Sequence, residues 1–131
     1  MRILLFAHIF LMAAAAVLVI AAVVTARKKK SGWLNRHRAM ALTGAVSACA
    51  AFACVFISKA VMHYPHFHSS HAIAGFVTLF MLVVTPVTGA LVVSGANGLR
   101  SAHRMLGRIT SLALVLTVLS GIMRMVQISR R

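Results

Sequence analysis

Residues 3–26 read ILLFAHIFLMAAAAVLVIAAVVTA, an apolar run whose only polar side chains are one histidine and one threonine. A helix needs about 20 apolar residues to cross a bilayer, so this run is long enough to span a membrane. Three more such runs follow, at about residues 37–62, 70–94 and 102–128. The sequence therefore predicts a single transmembrane domain, residues 1–131, built from four helices.

The breaks between the runs are short. They contain the sequence RKKKSG at 27–32, a polar segment around Tyr64-Pro65, and the turn-forming GANG at 95–98. The first cation cluster follows the first run, which is the wrong order for a cleaved signal peptide, so we expect that run to remain as a helix. An even number of spans with short loops favours an all-α, up-down four-helix bundle.

The charged side chains are all basic: 14 Lys plus Arg, with no Asp or Glu, in a chain that is 61% hydrophobic. Nucleic-acid binding requires a soluble basic face, whereas these cations lie at the ends of apolar runs. We therefore expect contacts with lipid headgroups and no nucleic-acid partner. The missing carboxylates disfavour a proton-coupled transporter, because such transporters rely on a buried Asp or Glu.

The distribution of the cations predicts the topology. Nine of the 14 lie on the side of the first and third loops, which the positive-inside rule places in the cytoplasm. Both termini and the second loop are then outside. The nine are Arg27, Lys28, Lys29, Lys30, Arg36, Arg38, Arg100, Arg104 and Arg108.

The third and fourth runs repeat each other at an offset of 32 residues, with the shared pattern His-x3-Gly-x13-Gly. Residues 4 and 18 positions apart lie on one face of a helix with 3.6 residues per turn. A glycine beside a histidine leaves room for a flat macrocycle, and the distant glycine would do the same at the other membrane face. Close helix packing alone would explain the glycines but not the histidines. The predicted cofactor-binding residues of the repeat are His71, Gly75, Gly89, His103, Gly107 and Gly121.

Each run carries one histidine near its end. His8 and His71 lie near the outer face on the first and third helices, and His37 and His103 near the inner face on the second and fourth. These helices are diagonal partners in an up-down bundle, so each pair can bind an iron from opposite sides. We expect two bis-histidine b-type haems, on the order of 20 Å apart along the membrane normal.

The segments around these histidines resemble the cytochrome b561 family. They read FAHIFLM at 6–12, NRHR at 35–38, HSSHAIAG at 68–75 and SAHRMLG at 101–107. The resemblance covers nearly the whole chain and is strongest over roughly residues 66–125. It implies a four-helix core, two haems b and the ligand pairing given above. Family members exchange electrons with ascorbate, ferric chelates, quinones or other partners, so the resemblance does not fix a substrate.

The second loop contains three more histidines, His63, His66 and His68. His68 is a rival to His71 as a ligand, but the repeat aligns His68 with Arg100 and His71 with a histidine. Three interpretations of the cluster stay open: a solvated polar loop, a substrate or proton-exchange site, and a metal site.

Five arginines surround the predicted inner haem position: Arg36, Arg38, Arg100, Arg104 and Arg108. The arginine fork suits carboxylates, and haem propionates are the only carboxylates that this chain could meet internally. We expect one or two of these arginines, Arg104 among them, to contact a propionate, and the others to contact anionic headgroups.

The leading hypothesis is a transmembrane electron carrier that exchanges electrons with a quinol-like small molecule or a redox protein. The basic charge favours an acidic partner protein. A second hypothesis is a haem-bearing anchor subunit of a larger redox complex, because the short loops leave little room for a substrate pocket. A small transporter without haem is disfavoured for want of a membrane carboxylate. The sequence leaves open whether the chain is an electron carrier or an oxidoreductase subunit.

Overall fold

The computed structural model describes residues 2–130, without the side chains of residues 2, 128 and 129. Within this part of the chain the secondary structure is helical, with no strand, which confirms the all-α prediction. Each long helix is long and apolar enough to cross a bilayer. The helices are α1 (Arg2–Lys28), α2 (Trp33–Val61), α3 (Ser70–Val93) and α4 (Arg100–Ser129).

Helix α2 begins at Trp33, four residues before the predicted start at 37. Hydropathy places the boundary at the last apolar residue, but backbone hydrogen bonds continue the helix through polar residues at the membrane surface. The preceding residue, Gly32, has a φ of 68°, a left-handed conformation that glycine adopts without steric cost. The guanidinium of Arg36 donates to the carbonyl oxygen of Ser31 and closes this turn.

Helix α3 starts where predicted because Ser69 caps it: its hydroxyl oxygen accepts from the backbone N–H of Ala72 at 3.3 Å. The segment between α3 and α4 contains residues 94–99. A 3₁₀ segment, Asn97–Leu99, follows Gly95 and leads directly into α4 at Arg100. The fourth helix therefore begins two residues earlier than the predicted 102.

The helices form a ring in chain order. Among the described residues, α1 packs on α2, α2 on α3, α3 on α4, and α4 on α1, while the backbones of the diagonal pairs do not approach each other. The closest packing joins α1 and α2 through small residues: Ala15, Gly44 and Ala48 are buried. A Cβ added to Gly44 would lie 2.9 Å from Cγ2 of Val19, so any larger residue there would force α1 and α2 to shift. This ring places the predicted histidine pairs on diagonal helices.

Large apolar side chains cover the outside of the bundle, among them Phe6, Phe10, Phe80, Leu112 and Leu116. An apolar surface that surrounds the whole molecule is far larger than a soluble protein exposes. Together with the four candidate spans, it shows a multi-pass membrane protein in contact with the lipid bilayer.

Threonine pairs bridge α3 and α4 in the middle of the bundle. The two hydroxyl–hydroxyl bonds, each 2.9 Å long, join Thr78 to Thr117 and Thr85 to Thr110. The offset of 32 residues converts one pair into the other, and buried Leu82 and Leu114, which are also related by it, belong to the same interface. The repeat in the sequence is therefore an approximate two-fold symmetry between two antiparallel helices.

Candidate functional site

The outer histidine pair opens onto an internal cavity of about 300 Å³. Both His8 and His71 line it and are half-buried. Most of the other lining side chains are apolar, and the repeat glycines Gly75 and Gly121 also belong to the wall. An apolar cavity with a few polar groups is the usual form of a cofactor site.

The inner pair lies at the opposite end of the bundle. The ring centroids of His37 and His103 are 6.2 Å apart, and the ring planes meet at 81°. Two metal–nitrogen bonds of about 2 Å, plus about 1 Å from each nitrogen to its ring centre, would put the centroids about 6 Å apart. The separation therefore fits two imidazoles that share one metal ion.

The hydrogen bonds of His71 determine which ring nitrogen is free. Its Nδ1 lies 2.9 Å from the hydroxyl oxygen of Ser120, and that hydroxyl donates its proton to the carbonyl of Thr117 at 2.8 Å. Since a hydroxyl has one proton, Ser120 must accept from the Nδ1–H of His71. Nε2 then keeps its lone pair, which is the state that a metal ligand needs.

The symmetry-related His103 has the same arrangement. Its Nδ1 lies 3.2 Å from the hydroxyl of Thr88 and 3.2 Å from the carbonyl oxygen of Thr85. The Thr88 hydroxyl donates to that same carbonyl at 2.8 Å, so both groups can only accept from the imidazole. Nε2 of His103 is again left free for a metal.

His8 on α1 bonds to a backbone carbonyl of α2, and His37 on α2 bonds to a backbone carbonyl of α1. Nδ1 of His8 lies 2.8 Å from the carbonyl oxygen of Ala51, and Nδ1 of His37 lies 2.9 Å from that of Ala22. Carbonyl oxygens only accept, so both imidazoles must donate through Nδ1. An offset of 29 residues relates His8 to His37 and Ala22 to Ala51, so α1 and α2 form a second approximately two-fold pair.

The distant glycines of the repeat make room for imidazole rings. A Cβ added to Gly121 would lie 2.9 Å from Cε1 of His71, and one added to Gly89 would lie 2.9 Å from Cε1 of His103. The sequence predicts that these glycines leave room for a macrocycle, and that stays a prediction. The geometry adds a second reason for glycine, because a side chain at either position would meet the imidazole of the neighbouring helix.

The near glycines are less constrained. A Cβ on Gly75 would lie 3.8 Å from Cγ2 of Thr117, and one on Gly107 would lie 3.9 Å from Cγ2 of Thr85, which are ordinary contacts. Gly75 lines the outer cavity, where a larger side chain would reduce the space beside His71.

The two pairs are well separated along the helices. Fourteen residues separate His8 from Ala22 on α1, about 21 Å at 1.5 Å per residue. Seventeen residues separate His71 from Thr88 on α3, about 26 Å. The two histidine pairs therefore lie near opposite ends of the bundle.

The loop histidines differ from one another. His63 and His68 are exposed, as expected for a solvated loop. His66 is half-buried, lines the outer cavity and stacks on Phe56 with ring centroids 4.0 Å apart.

No three His or Cys side chains among the described residues cluster as a metal site held by protein ligands alone would require. A haem needs only two protein ligands, because the porphyrin supplies the others.

At the inner end, the five arginines are exposed. Arg100 donates to the side-chain oxygen of Asn97 at 3.2 Å. Arg104 follows His103 directly and so lies about 100° around α4 from it.

The hydroxyl residues that bond to His71 and His103, Ser120 and Thr88, were not identified from the sequence, although the internal repeat includes them. A hydroxyl residue precedes each distant glycine, as Thr88-Gly89 and Ser120-Gly121, and the same offset of 32 relates the two dipeptides. The sequence also did not show that two cations, Lys59 and Arg124, line the same cavity. Hydropathy counts them only as helix-end charges.

A four-helix membrane bundle with a histidine pair near each end has the architecture of a transmembrane cytochrome b. The family described as eukaryotic cytochrome b561 matches residues 1–95, and the chain belongs to this family. It is therefore a membrane electron-transfer protein that uses b-type haem. Searches of curated proteins and of solved structures found no match.

The family match includes three of the four histidines, His8, His37 and His71, and ends before α4. The resemblance in the sequence had been expected to be strongest over residues 66–125, but residues 96–125 lie beyond the match. The assignment of His103 therefore depends on the internal repeat and on its position opposite His37.

Proposed function

We propose that the described residues form one domain that carries electrons across the membrane through two b-type haems. His8 and His71 would hold the outer haem, and His37 and His103 the inner one. The observation that carries the proposal is shared by all four histidines: each Nδ1 faces an acceptor on an adjacent helix, and no hydrogen bond joins any Nε2 to another described residue.

The iron of such a haem supplies reversible one-electron chemistry. The chain supplies fixed ligands. An acceptor on Nδ1 sets the tautomer and the ring orientation and makes Nε2 a stronger base, which favours metal binding. The glycines at 89 and 121 give the imidazoles their space, and the apolar wall of the outer cavity excludes water.

The layer between the two pairs is buried and closely packed. Ala15, Ala48, Leu82 and Leu114 are buried there, and the threonine hydroxyls of the same layer satisfy one another. This layer would keep ions and water out of the space between the two haem sites.

We further propose that the first and third loops face the cytoplasm, as the cation distribution predicts. The outer cavity, beside the second loop, would then exchange electrons with a small quinol-like molecule. The exposed arginines at the inner end suit an acidic redox protein.

The same exposed arginines support a second candidate, a haem-bearing anchor subunit of a larger redox complex. The turn between α1 and α2 contains only residues 29–32, which gives the inner end little covering of its own. Co-purification with a dehydrogenase or a multihaem protein from native membranes would favour this candidate, and isolation of the chain alone would favour the electron carrier.

The proposal is tested by purifying the protein, counting haem per chain, and reconstituting it in vesicles with ferricyanide trapped inside. We expect two b-type haems per chain and rapid reduction of the trapped ferricyanide by a membrane-impermeant donor added outside. Vesicles that contain no protein are the control. A colourless protein, or one with two haems that leaves the ferricyanide oxidised, would contradict the proposal.

A further inference from the structure

The outer cavity has one strongly basic end. Lys59 from the last turn of α2, Arg124 from α4 and His66 from the second loop all line it, together with the pair His8 and His71. Most other lining residues are apolar. The chain has no Asp or Glu, so no acidic side chain can neutralise the two cations.

The donors at this end are only partly used. Nζ of Lys59 donates to the carbonyl oxygens of Pro65 at 3.3 Å and His66 at 2.9 Å, which leaves one of its three N–H groups. Arg124 is exposed, and its guanidinium has five N–H groups and no hydrogen bond to any described residue. Nδ1 of His66 is buried and has no partner within the described part of the chain.

A structural role explains part of this arrangement. Lys59 fastens the loop over the cavity, and its charge suits the end of a helix. Arg124 could extend toward the headgroups, as arginines near membrane surfaces do. Neither role explains why three groups with unused hydrogen-bonding capacity line one mostly apolar cavity.

We propose that Lys59 and Arg124 bind a carboxylate at the outer end of the cavity. It belongs either to a propionate of the outer haem, in which case the inference rests on the proposed function, or to a small donor that carries a carboxylate. The position of Arg124 supports this assignment. Ser120 and Gly121 hold the imidazole of His71, and Arg124 follows them by one helical turn on the same wall of the cavity.

The test uses full-length protein in membranes from haem-deficient cells. These are supplied with protohaem or with its dimethyl ester, in which both propionates are uncharged. The variant is Arg124→Gln, and the matched control is Arg130→Gln, which removes an exposed cation beyond the helix. If a propionate is the ligand, R124Q should bind protohaem at the outer site about tenfold more weakly than R130Q, because it loses a charge-assisted bond. Both variants should bind the ester equally.

A carboxylate on the electron donor would give a different result. If the carboxylate belongs to the donor, R124Q and R130Q should bind both haems equally. R124Q should then show a raised KM for a quinol that carries a carboxylate, and an unchanged KM for the methyl ester of that quinol. Arg124→Lys should restore part of whichever effect is seen, and Lys59→Gln should reproduce it.

Two further outcomes distinguish a failure of the carboxylate site from a failure of the proposed function. If wild-type protein takes up haem and R124Q equals R130Q in all these measurements, the carboxylate site is contradicted and the proposed function stands. If wild-type protein takes up neither protohaem nor its ester, the proposed function is contradicted, and the propionate assignment with it.

Discussion

His37 and His103 face each other across the inner end of the bundle with ring centroids 6.2 Å apart and ring planes at 81°. They belong to α2 and α4, which are diagonal helices without backbone contact among the described residues. Each imidazole is held by a neighbouring helix, His37 by α1 and His103 by α3. All four helices therefore contribute to the position of this one pair.

Removing the acceptor of a single histidine should weaken a single haem. In Ser120→Ala, Nδ1 of His71 loses its partner at 2.9 Å, so we expect the outer haem to bind about 10- to 100-fold more weakly, the usual effect of losing such a partner. Haem transfer to apomyoglobin, followed by visible spectroscopy, measures this. Ser111→Ala is the control, because that hydroxyl bonds, among the described residues, only to the carbonyl of Gly107. Equal losses in the two variants would contradict the role of Ser120.

A methyl group at a distant glycine should displace the histidine opposite. In Gly121→Ala the new Cβ would lie 2.9 Å from Cε1 of His71, and in Gly89→Ala it would lie 2.9 Å from Cε1 of His103. We expect the first variant to lose the outer haem and the second the inner haem, as measured by redox difference spectra. Gly98→Ala, where a Cβ meets nothing within 4 Å, should keep both. Full haem content in G121A and G89A would show that the imidazoles can bind haem without the space that these glycines leave.

The threonine bridges should make a small, measurable contribution to stability. A double-mutant cycle on Thr78→Val and Thr117→Val should give a coupling of about 0.6 kcal/mol, the average for interhelical hydrogen bonds in membranes. The free energy of unfolding in mixed micelles gives the value. Thr78→Val with Thr110→Val is the control cycle, because these two hydroxyls do not bond to each other, and its effects should add. Additive effects in the first cycle would mean that the bridge does not stabilise the bundle.

The cation distribution predicts which loops are outside. In a chain with Cys49 and Cys54 replaced by alanine, Tyr64→Cys should react with a membrane-impermeant maleimide added to intact cells. Ser31→Cys should react only after the membrane is opened. Both positions are exposed in loops, so access alone decides the result. Labelling of S31C but not Y64C in intact cells would reverse the proposed orientation.

Much of the fold could be predicted from the sequence because lipid imposes simple rules. Apolar length predicted all four helices, and α3 ends within one residue of the expected position. The start of α2 was missed by four residues, since Trp33 to Arg36 are helical although they lie outside the apolar run. Hydropathy reports where the membrane ends, whereas the helix ends where its backbone hydrogen bonds do.

The candidate site could be predicted only in part. Depth and helix order were enough to propose the histidine pairs. The acceptors on Nδ1 could not be found that way, because Ala22 and Ala51 act through backbone carbonyls that no sequence pattern marks. The basic end of the outer cavity was missed for another reason: Lys59 and Arg124 lie on different helices and converge only when the bundle forms.

The central claim is that the four histidines form two separate haem sites, and redox-titrated visible spectroscopy on His71→Ala and His103→Ala tests it most directly. His68→Ala is the matched control, because His68 is the exposed rival near the same helix end. We predict two b-type components in the wild type and in H68A, with H71A losing one component and H103A losing the other. Loss of the same component in both variants, or loss in H68A but not in H71A, would contradict the pairing.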